Sequence, residues 1–360
     1  MMRAALALAR RSLGRTWPNP AVGCVIVRDG QIVGRGRTQD GGRPHAEVDA
    51  LSQAGEAAKG ATVYVTLEPC SHHGKSPPCA DALIAAGVAR VVSAMEDPFP
   101  QVQGAGHARL EAAGIAVEVG DRAAEAAALN AGFFMRVREG RPLFHLKIAS
   151  SLDGRIATAS GESRWITGEA ARADGHRLRA THDAILVGAN TVVLDDPDLS
   201  CRLPGLARYS PVRIVLDSKA RLSPDSRLAA TAKITPVWLL CTSEAALSKR
   251  EALAAKGVVI VDVAADSGGR VDVAAAAKAL GERGLTRVLI EGGGEVAAAF
   301  LKAGLVDRLT SYRAGLFLGA DGQPAVGALG LAQLGSARRF SLDSSRRVGV
   351  DTVETWRREA

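Results

Sequence analysis

Short runs of β-branched and aliphatic residues recur along the chain, TVYVT, RVVSAM, AILVG, RIVLD, VWLLC, VVIVDV and RVLIEGG, with alanine-rich stretches of helical composition between them. Each run is about one strand long, and strands separated by helices return in parallel through crossovers. The fold class this predicts is α/β, with sheets buried under helices on both faces. At 360 residues the chain exceeds one such unit of ordinary size, so two domains are expected. The polar break Glu139-Gly140-Arg141-Pro142 divides them into residues 1–141 and 142–360. In the first, AVGCVIV and QIVGRGR flank Asp29-Gly30 as a hairpin, helices start near His45 and Cys79, and one long helix is expected from Asp121 to about Arg138. Near the carboxyl terminus, RLTSYRAGLFLG, RRFSLDS and VGVDTVETW read as antiparallel edge strands.

Composition narrows the function. Hydrophobic residues make up 47% and charged residues 23%, the usage of an ordinary folded protein. The formal charge of +7 comes from 45 basic and 38 acidic residues scattered along the chain. There is no basic run and only 4% aromatic residues, so nucleic acid is not the expected partner, whereas a phosphorylated small molecule is. No segment approaches the ~20 apolar residues needed to cross a bilayer. The opening MMRAALALARRS reads as an amphipathic helix and not as a signal peptide. Five cysteines without a secretion signal point to the reducing cytoplasm, where closely placed cysteines bind metal or do chemistry.

The segment Pro44-His45-Ala46-Glu47 opens a predicted helix, and Pro69-Cys70 and Cys79 follow with eight residues between the cysteines. Catalytic zinc takes three protein ligands and leaves a fourth position for water, whose pKa falls to about 7. His45, Cys70 and Cys79 can be those ligands, and Glu47 can move protons instead of binding metal. The pattern follows the H-x-E and P-C signature of zinc deaminases and departs at the second cysteine, which there comes after two residues. Closure entropy rises slowly with length, so the longer loop costs little, and Pro77-Pro78 stiffens the return. On the residues alone two alternatives stay open: cysteines acting as small buried hydrophobes, and a structural four-ligand site recruiting His72 or His73. In the second half, RVLIEGGGEVAAAF reads as strand, glycine turn and helix. Backbone N–H groups of such a turn can cradle phosphate, or the glycines can simply make a tight turn.

PNPAVGCVIV, PHAEVDAL and VTLEPCSHHGKSPPCADALIAAGVARVV resemble the deaminase half of the bifunctional deaminase/reductase family of riboflavin biosynthesis. The resemblance continues past Pro142 through LKIASSLDGRIATASGESRWITG, DDPDLSCR and IEGGGEVAAAFLKAGLVD, and covers nearly the whole chain. In that family the long cysteine spacing is the usual form. The resemblance implies a cytidine-deaminase-like three-layer α/β/α domain followed by a dihydrofolate-reductase-like α/β domain. It implies zinc-dependent hydrolytic deamination of a diaminopyrimidinone carrying a ribosylamino phosphate, then NADPH-dependent reduction of the ribosyl group to ribityl. One zinc per chain and a homo-oligomer, dimer or tetramer, go with it.

Carried over by motif, Glu47 is the proton carrier, and Asn19 and Lys75 hold the deaminase substrate. Ala149, Trp165, Thr191, Asp195, Ser218, Gly293, Gly294, Glu295, Val296, Ala297, Ala298 and Ala299 contact NADPH. Ser163, Arg179, Leu199, Arg202 and Glu291 contact the reductase substrate. Charge supports part of this, since Arg179 and Arg202 can clamp a phosphate, and Lys147 can approach the sugar. No acid or base for the reduction stands out, so positioning of two bound ligands is expected to supply much of the rate. The chain departs from the pattern at Thr38, where similar members often carry a histidine.

Overall fold

The computed structural model describes residues 1–74, 77–99 and 103–359. It divides the chain into two units, Met1–Gly140 and Arg141–Ala360. The first runs α1 (Met2–Arg10), β1 (Gly23–Arg28), β2 (Gln31–Arg37), α2 (Ala46–Ala54), β3 (Thr62–Val65), α3 (Cys79–Ala85), β4 (Arg90–Ser93), α4 (Ala105–Ala112), β5 (Ala116–Val119), α5 (Ala123–Leu129) and α6 (Ala131–Glu139). Its sheet has the order β2-β1-β3-β4-β5. β1 pairs antiparallel with β2 and β3, and β3, β4 and β5 run parallel. Asp29 and Gly30 both take positive φ, as the two-residue hairpin turn requires. Alternation along β1 sorts the two faces. Val25 meets Leu6 and Ala9 of α1 and Ala126 of α5, while Cys24 and Ile26 meet Ala46, Leu83 and Leu110 of α2, α3 and α4.

The single long helix expected from Asp121 to about Arg138 is two helices. Asn130 breaks it at φ −96° and ψ 15°. Its side chain is turned to other work: Oδ1 accepts from the Ala21 N–H at 2.9 Å and Nδ2 donates to the Ala21 carbonyl at 3.0 Å. Asparagine competes for backbone groups, and here two buried tertiary bonds outweigh helix continuity.

The second unit runs β6 (Leu143–Ser150), β7 (Arg155–Ala157), α7 (Glu169–Ala180), β8 (Ala184–Gly188), α8 (Ala189–Asp195), β9 (Val212–Leu216), α9 (Arg227–Ala230), β10 (Val237–Cys241), α10 (Leu247–Ala255), β11 (Val259–Asp262), α11 (Val273–Glu282), β12 (Arg287–Ile290), α12 (Gly294–Lys302), β13 (Val306–Arg313), β14 (Gln323–Pro324), β15 (Phe340–Val348) and β16 (Asp351–Arg358). The main sheet has the order β11-β10-β9-β8-β12-β6-β13-β16-β15. From β11 to β13 every pairing is parallel. Strands covered on both faces read as continuous apolar runs, and β8 is buried along its whole length.

RLTSYR, expected among the antiparallel edge strands, is β13, an inner strand that pairs antiparallel with β16 and parallel with β6. Helix α12 stands between β12 and β13 and carries the chain back to the same end of the sheet, so β13 must run with its neighbours. Only β15 and β16 finish the sheet antiparallel. The fork of Arg141 fixes the entry to β6, with Nη1 and Nη2 at 2.8 and 3.0 Å from the Asp307 carboxylate near the start of β13.

Replacing Asn130 with alanine strands the buried Ala21 N–H and carbonyl. The expected cost is about 2 kcal/mol in denaturant unfolding. A loss below about 0.5 kcal/mol would show that the helix break does not depend on these bonds.

Candidate active sites

His45, Cys70 and Cys79 come from three separate elements of the first unit. His45 is the residue before α2, in extended conformation, and Cys79 is the first residue of α3. Cys70 lies in the loop beyond the carboxyl end of β3. Their ligand atoms all lie within 4.8 Å of one another. His45 Nδ1 is 3.3 Å from Cys79 Sγ and 3.6 Å from Cys70 Sγ, and the Cys79 N–H donates to Cys70 Sγ at 3.3 Å. Among the described residues this is the one such group, and His72 and His73 are exposed outside it.

The hydrogen bond from Cys79 pulls the Cys70 thiol down to about 4, against its burial. The same bond, with burial, pushes the Cys79 thiol up, and the hydrogen bond to Cys70 raises His45. One thiolate is therefore comfortable here and two are not, unless a metal neutralises them. Two thiols and an imidazole are the donor set zinc prefers, and three ligands leave an open position for water. Beside them Glu47, 3% exposed, sits in the first turn of α2. Burial first, then the charge of Cys70, raises its carboxyl to about 7.

The surrounding loops are tied down by polar side chains. Glu68, two residues before Cys70, accepts from the N–H groups of Asp97 (3.0 Å), Gly104 (3.0 Å), Gly106 (2.8 Å) and His107 (3.4 Å). The sequence reading passed over it, although an acidic residue between Leu67 and Pro69 at a strand end is itself a signal of buried backbone contacts. Asn19 donates from Nδ2 to the Gly42 carbonyl at 2.9 Å. Thr38 is 2% exposed; its hydroxyl donates to the Pro20 carbonyl at 3.1 Å and accepts from the Val22 N–H at 2.9 Å. It braces the loop that carries Asn19. Lys75 lies outside the described residues.

In the second unit the residues expected around NADPH gather at the carboxyl ends of parallel strands. Ala149 is near the end of β6, Thr191 and Asp195 are in α8 directly after β8, Ser218 follows β9, and the glycine turn follows β12. Trp165 lies in the segment before α7, exposed, with the Arg172 guanidinium 4.7 Å from its ring. The Ser218 hydroxyl accepts from the Val271 N–H at 2.9 Å.

The glycine turn divides by role. A Cβ on Gly294 would stand 2.6 Å from the Pro324 carbonyl oxygen and one on Gly292 would stand 2.7 Å from Val296 Cβ, so both are needed for packing. A Cβ on Gly293 would meet nothing within 4 Å, so the open approach is there. The Ala297 N–H already donates to the Gly293 carbonyl at 3.2 Å, and Ala297 and Ala298 are buried in the core. Free amides at a helix start are confined to its first turn, here Gly294, Glu295 and Val296.

Arg179 is engaged within the protein. Its Nε and Nη2 grip the Glu291 carboxylate at 2.8 and 3.0 Å, and Nη1 donates to the Ser200 carbonyl at 2.9 Å. These bonds use three of its five N–H groups, and Arg202 is exposed beyond Cys201. Lys147 Nζ lies 3.5 Å from Glu291 Oε2. Burial alone would raise the Glu291 carboxyl, but Arg179 and Lys147 hold it down at about 2. Ser163 is exposed, and the Leu199 side chain packs into the apolar cluster with Val187 and Val215.

Family models match both units. Residues 1–95 match the cytidine and deoxycytidylate deaminase zinc-binding region, and residues 142–353 match the RibD C-terminal domain. The chain is 46% identical to the riboflavin biosynthesis protein RibD of Escherichia coli K12, over 97% of this chain and 96% of that one. It is similar to the structure of Acinetobacter baumannii RibD, with a TM-score of 0.87, 40% identity, and 99% and 98% of the two chains covered. It is also similar to the Thermotoga maritima diaminohydroxyphosphoribosylaminopyrimidine deaminase/5-amino-6-(5-phosphoribosylamino)uracil reductase, at 34% identity and a TM-score of 0.86, covering 99% and 97%.

The depressed carboxyl of Glu291 sets a pH dependence. Its folded pKa of about 2 lies below the ordinary 4.5, so its contribution to stability is complete above 4.5 and is lost as pH falls through about 2. Unfolding of the second unit is expected to lose at most about 3 kcal/mol across that window. The Glu291→Gln protein should be less stable at neutral pH and flatter between pH 5 and pH 2. Parallel pH profiles of the two proteins would contradict the assignment.

Proposed function

Because this chain belongs to the RibD family of riboflavin-biosynthesis proteins, which join a deaminase and a reductase in one polypeptide, we propose that His45, Cys70 and Cys79 hold its zinc, that Glu47 carries the protons of deamination, and that the strand ends around Glu291 hold NADPH and the deaminated product. The observation that carries this reading is the convergence of three ligand atoms within 4.8 Å beside a buried glutamate.

Zinc bound by this trio lowers the pKa of a water to about 7 and so makes a nucleophile available at neutral pH. Glu47 is close enough in sequence to His45 to face the same space and too buried to be solvated. It takes a proton from the attacking water, holds it, and delivers it to the departing nitrogen. Oxygen bonds to the ring carbon bearing the 2-amino group, the carbon–nitrogen bond breaks, ammonia leaves, and a carbonyl remains. Asn19, fixed by Gly42, and Lys75 hold the substrate.

In the second unit bound NADPH would supply the hydride that reduces C1′ of the sugar in its open-chain imine form. The first-turn amides of α12 and the strand ends at Ala149, Thr191, Asp195 and Ser218 orient the cofactor. Trp165 completes its contacts. Glu291, set by Arg179, and Lys147 face the sugar, Arg202 takes the phosphate, and Ser163 and the Leu199 segment complete the substrate contacts. The five described cysteines are all free, which suits a cytoplasmic enzyme. The exposed edge strand β15 suits assembly into a homo-oligomer, dimer or tetramer.

Replacing Glu47 with alanine should cut ammonia release by at least about a hundredfold and leave reduction of a pre-deaminated substrate intact. Deamination at the wild-type rate would remove Glu47 from proton transfer. Cys79→Ser should take zinc from about one per chain to a small fraction, read by elemental analysis after dialysis; unchanged zinc would remove Cys79 from the ligand set.

A further inference from the structure

Lys147 stands on β6 two residues before Ala149, with Glu291 on one side and the ring of Tyr312 on the other. Its Nζ is 3.5 Å from Glu291 Oε2 and 5.9 Å from the centroid of the Tyr312 ring. A lysine ammonium swings on a flexible four-carbon stem, so its position depends on the walls around it. Glu291 is a fixed wall, because the Arg179 fork holds both carboxylate oxygens. The ring is fixed as firmly. Tyr312 is 1% exposed, and its hydroxyl donates to Asp174 Oδ2 at 2.8 Å. Asp174 accepts from Arg346 Nη2 at 2.7 Å as well, and pairs with Arg177 on its own helix. Burial, with the Asp174 carboxylate, pushes the phenol up and keeps it a neutral donor.

The third side is α7. A Cβ on Gly175 would lie 3.8 Å from Lys147 Cε, so the lysine stem runs along this helix. One helix therefore anchors both walls, the ring through Asp174 and the carboxylate through Arg179. Tyr312 also packs with Ala171, Val348 and Val353, as any buried aromatic would. Packing alone does not require a ring face turned to an ammonium, or a hydroxyl locked by a carboxylate that two arginines compensate.

We propose that Tyr312, locked by Asp174, is a positioning residue for the reduction: its ring face holds the Lys147 ammonium against Glu291, where the sugar is read to bind. A cation over an aromatic face is attracted to the ring quadrupole, and the attraction grows as water is excluded. The inference rests on the reading of Glu291 and Lys147 as substrate-facing groups.

The test uses the intact chain in four forms: wild type, Tyr312→Leu, Lys147→Met and the double variant. Each is assayed for NADPH-dependent reduction of the deaminated product. Tyr312→Leu should lower kcat/KM about tenfold, the order set by a partly desolvated cation–π contact. Lys147→Met should lower it further, and the double variant should be no worse than Lys147→Met alone, because the ring acts only through the lysine. Losses that multiply would make Tyr312 a packing residue and overturn the proposal. NADPH affinity and the deamination rate report whether Tyr312→Leu is folded. If they fall, Asp174→Asn, which weakens the lock on the ring, replaces it in the same cycle with Lys147→Met, under the same criterion. A wild-type chain that does not reduce the deaminated product would sink the reductase reading itself; multiplicative losses would sink only the role of Tyr312.

Discussion

Parallel pairing is the constraint from which both sites follow. A parallel strand needs a crossover, the crossover helices cover the sheet, and the carboxyl ends of the strands are left to open into loops at one edge. In the second unit β6, β8, β9 and β12 deliver Ala149, Thr191, Ser218 and Gly293 to that edge without any of these residues being near another in sequence. In the first unit β3 and β4 run parallel, and the loops beyond them carry Cys70 and Asp97. Glu68 binds those two loops together by gathering backbone N–H groups from the second onto a side chain of the first. The sheets hold the loops, and the loops hold the chemistry.

Within each unit, charge compensation then decides what a group is free to do. The thiols of Cys70 and Cys79 oppose each other's ionisation, and with His45 they place three ligand atoms within 4.8 Å of one another. In the second unit the opposite holds. Glu291 is satisfied within the protein by Arg179 and Lys147, so it remains ionised although buried. A buried carboxylate held this way is rigid, and a rigid acceptor is what an oriented substrate needs.

The metal trio was legible in the sequence because ligand chemistry and spacing are local properties: a histidine and a cysteine at helix starts, with a Pro-Cys pair between them, are visible one motif at a time. The α/β class was legible because buried parallel strands are apolar runs. What escaped depended on partners far along the chain. The break at Asn130 follows from Ala21, 109 residues away, and the capture of Arg179 follows from Glu291, 112 residues away. No periodicity in RLTSYR shows that the strand lies inside the sheet, parallel to β6 on one side and antiparallel to β16 on the other; the helix before it sets its direction. Gly293 and Gly294 look alike in a run of three glycines, and only the Pro324 carbonyl beside one of them separates an open amide from a packing contact. Thr38 shows the same limit. The departure from the family pattern at this position is, in the fold, a bracket between the end of strand β2 and the Pro20–Val22 segment.

The central claim is that two chemistries reside in two units of one chain, one metal-dependent and one nicotinamide-dependent. The most direct measurement follows ammonia release and NADPH consumption together in the intact protein, before and after treatment with a zinc chelator. Ammonia release from the diaminopyrimidinone phosphate should proceed without NADPH and stop on chelation, while NADPH oxidation with the deaminated compound should survive chelation. If chelation stops both reactions, or if ammonia release requires NADPH, the assignment of the two activities to separate sites is wrong.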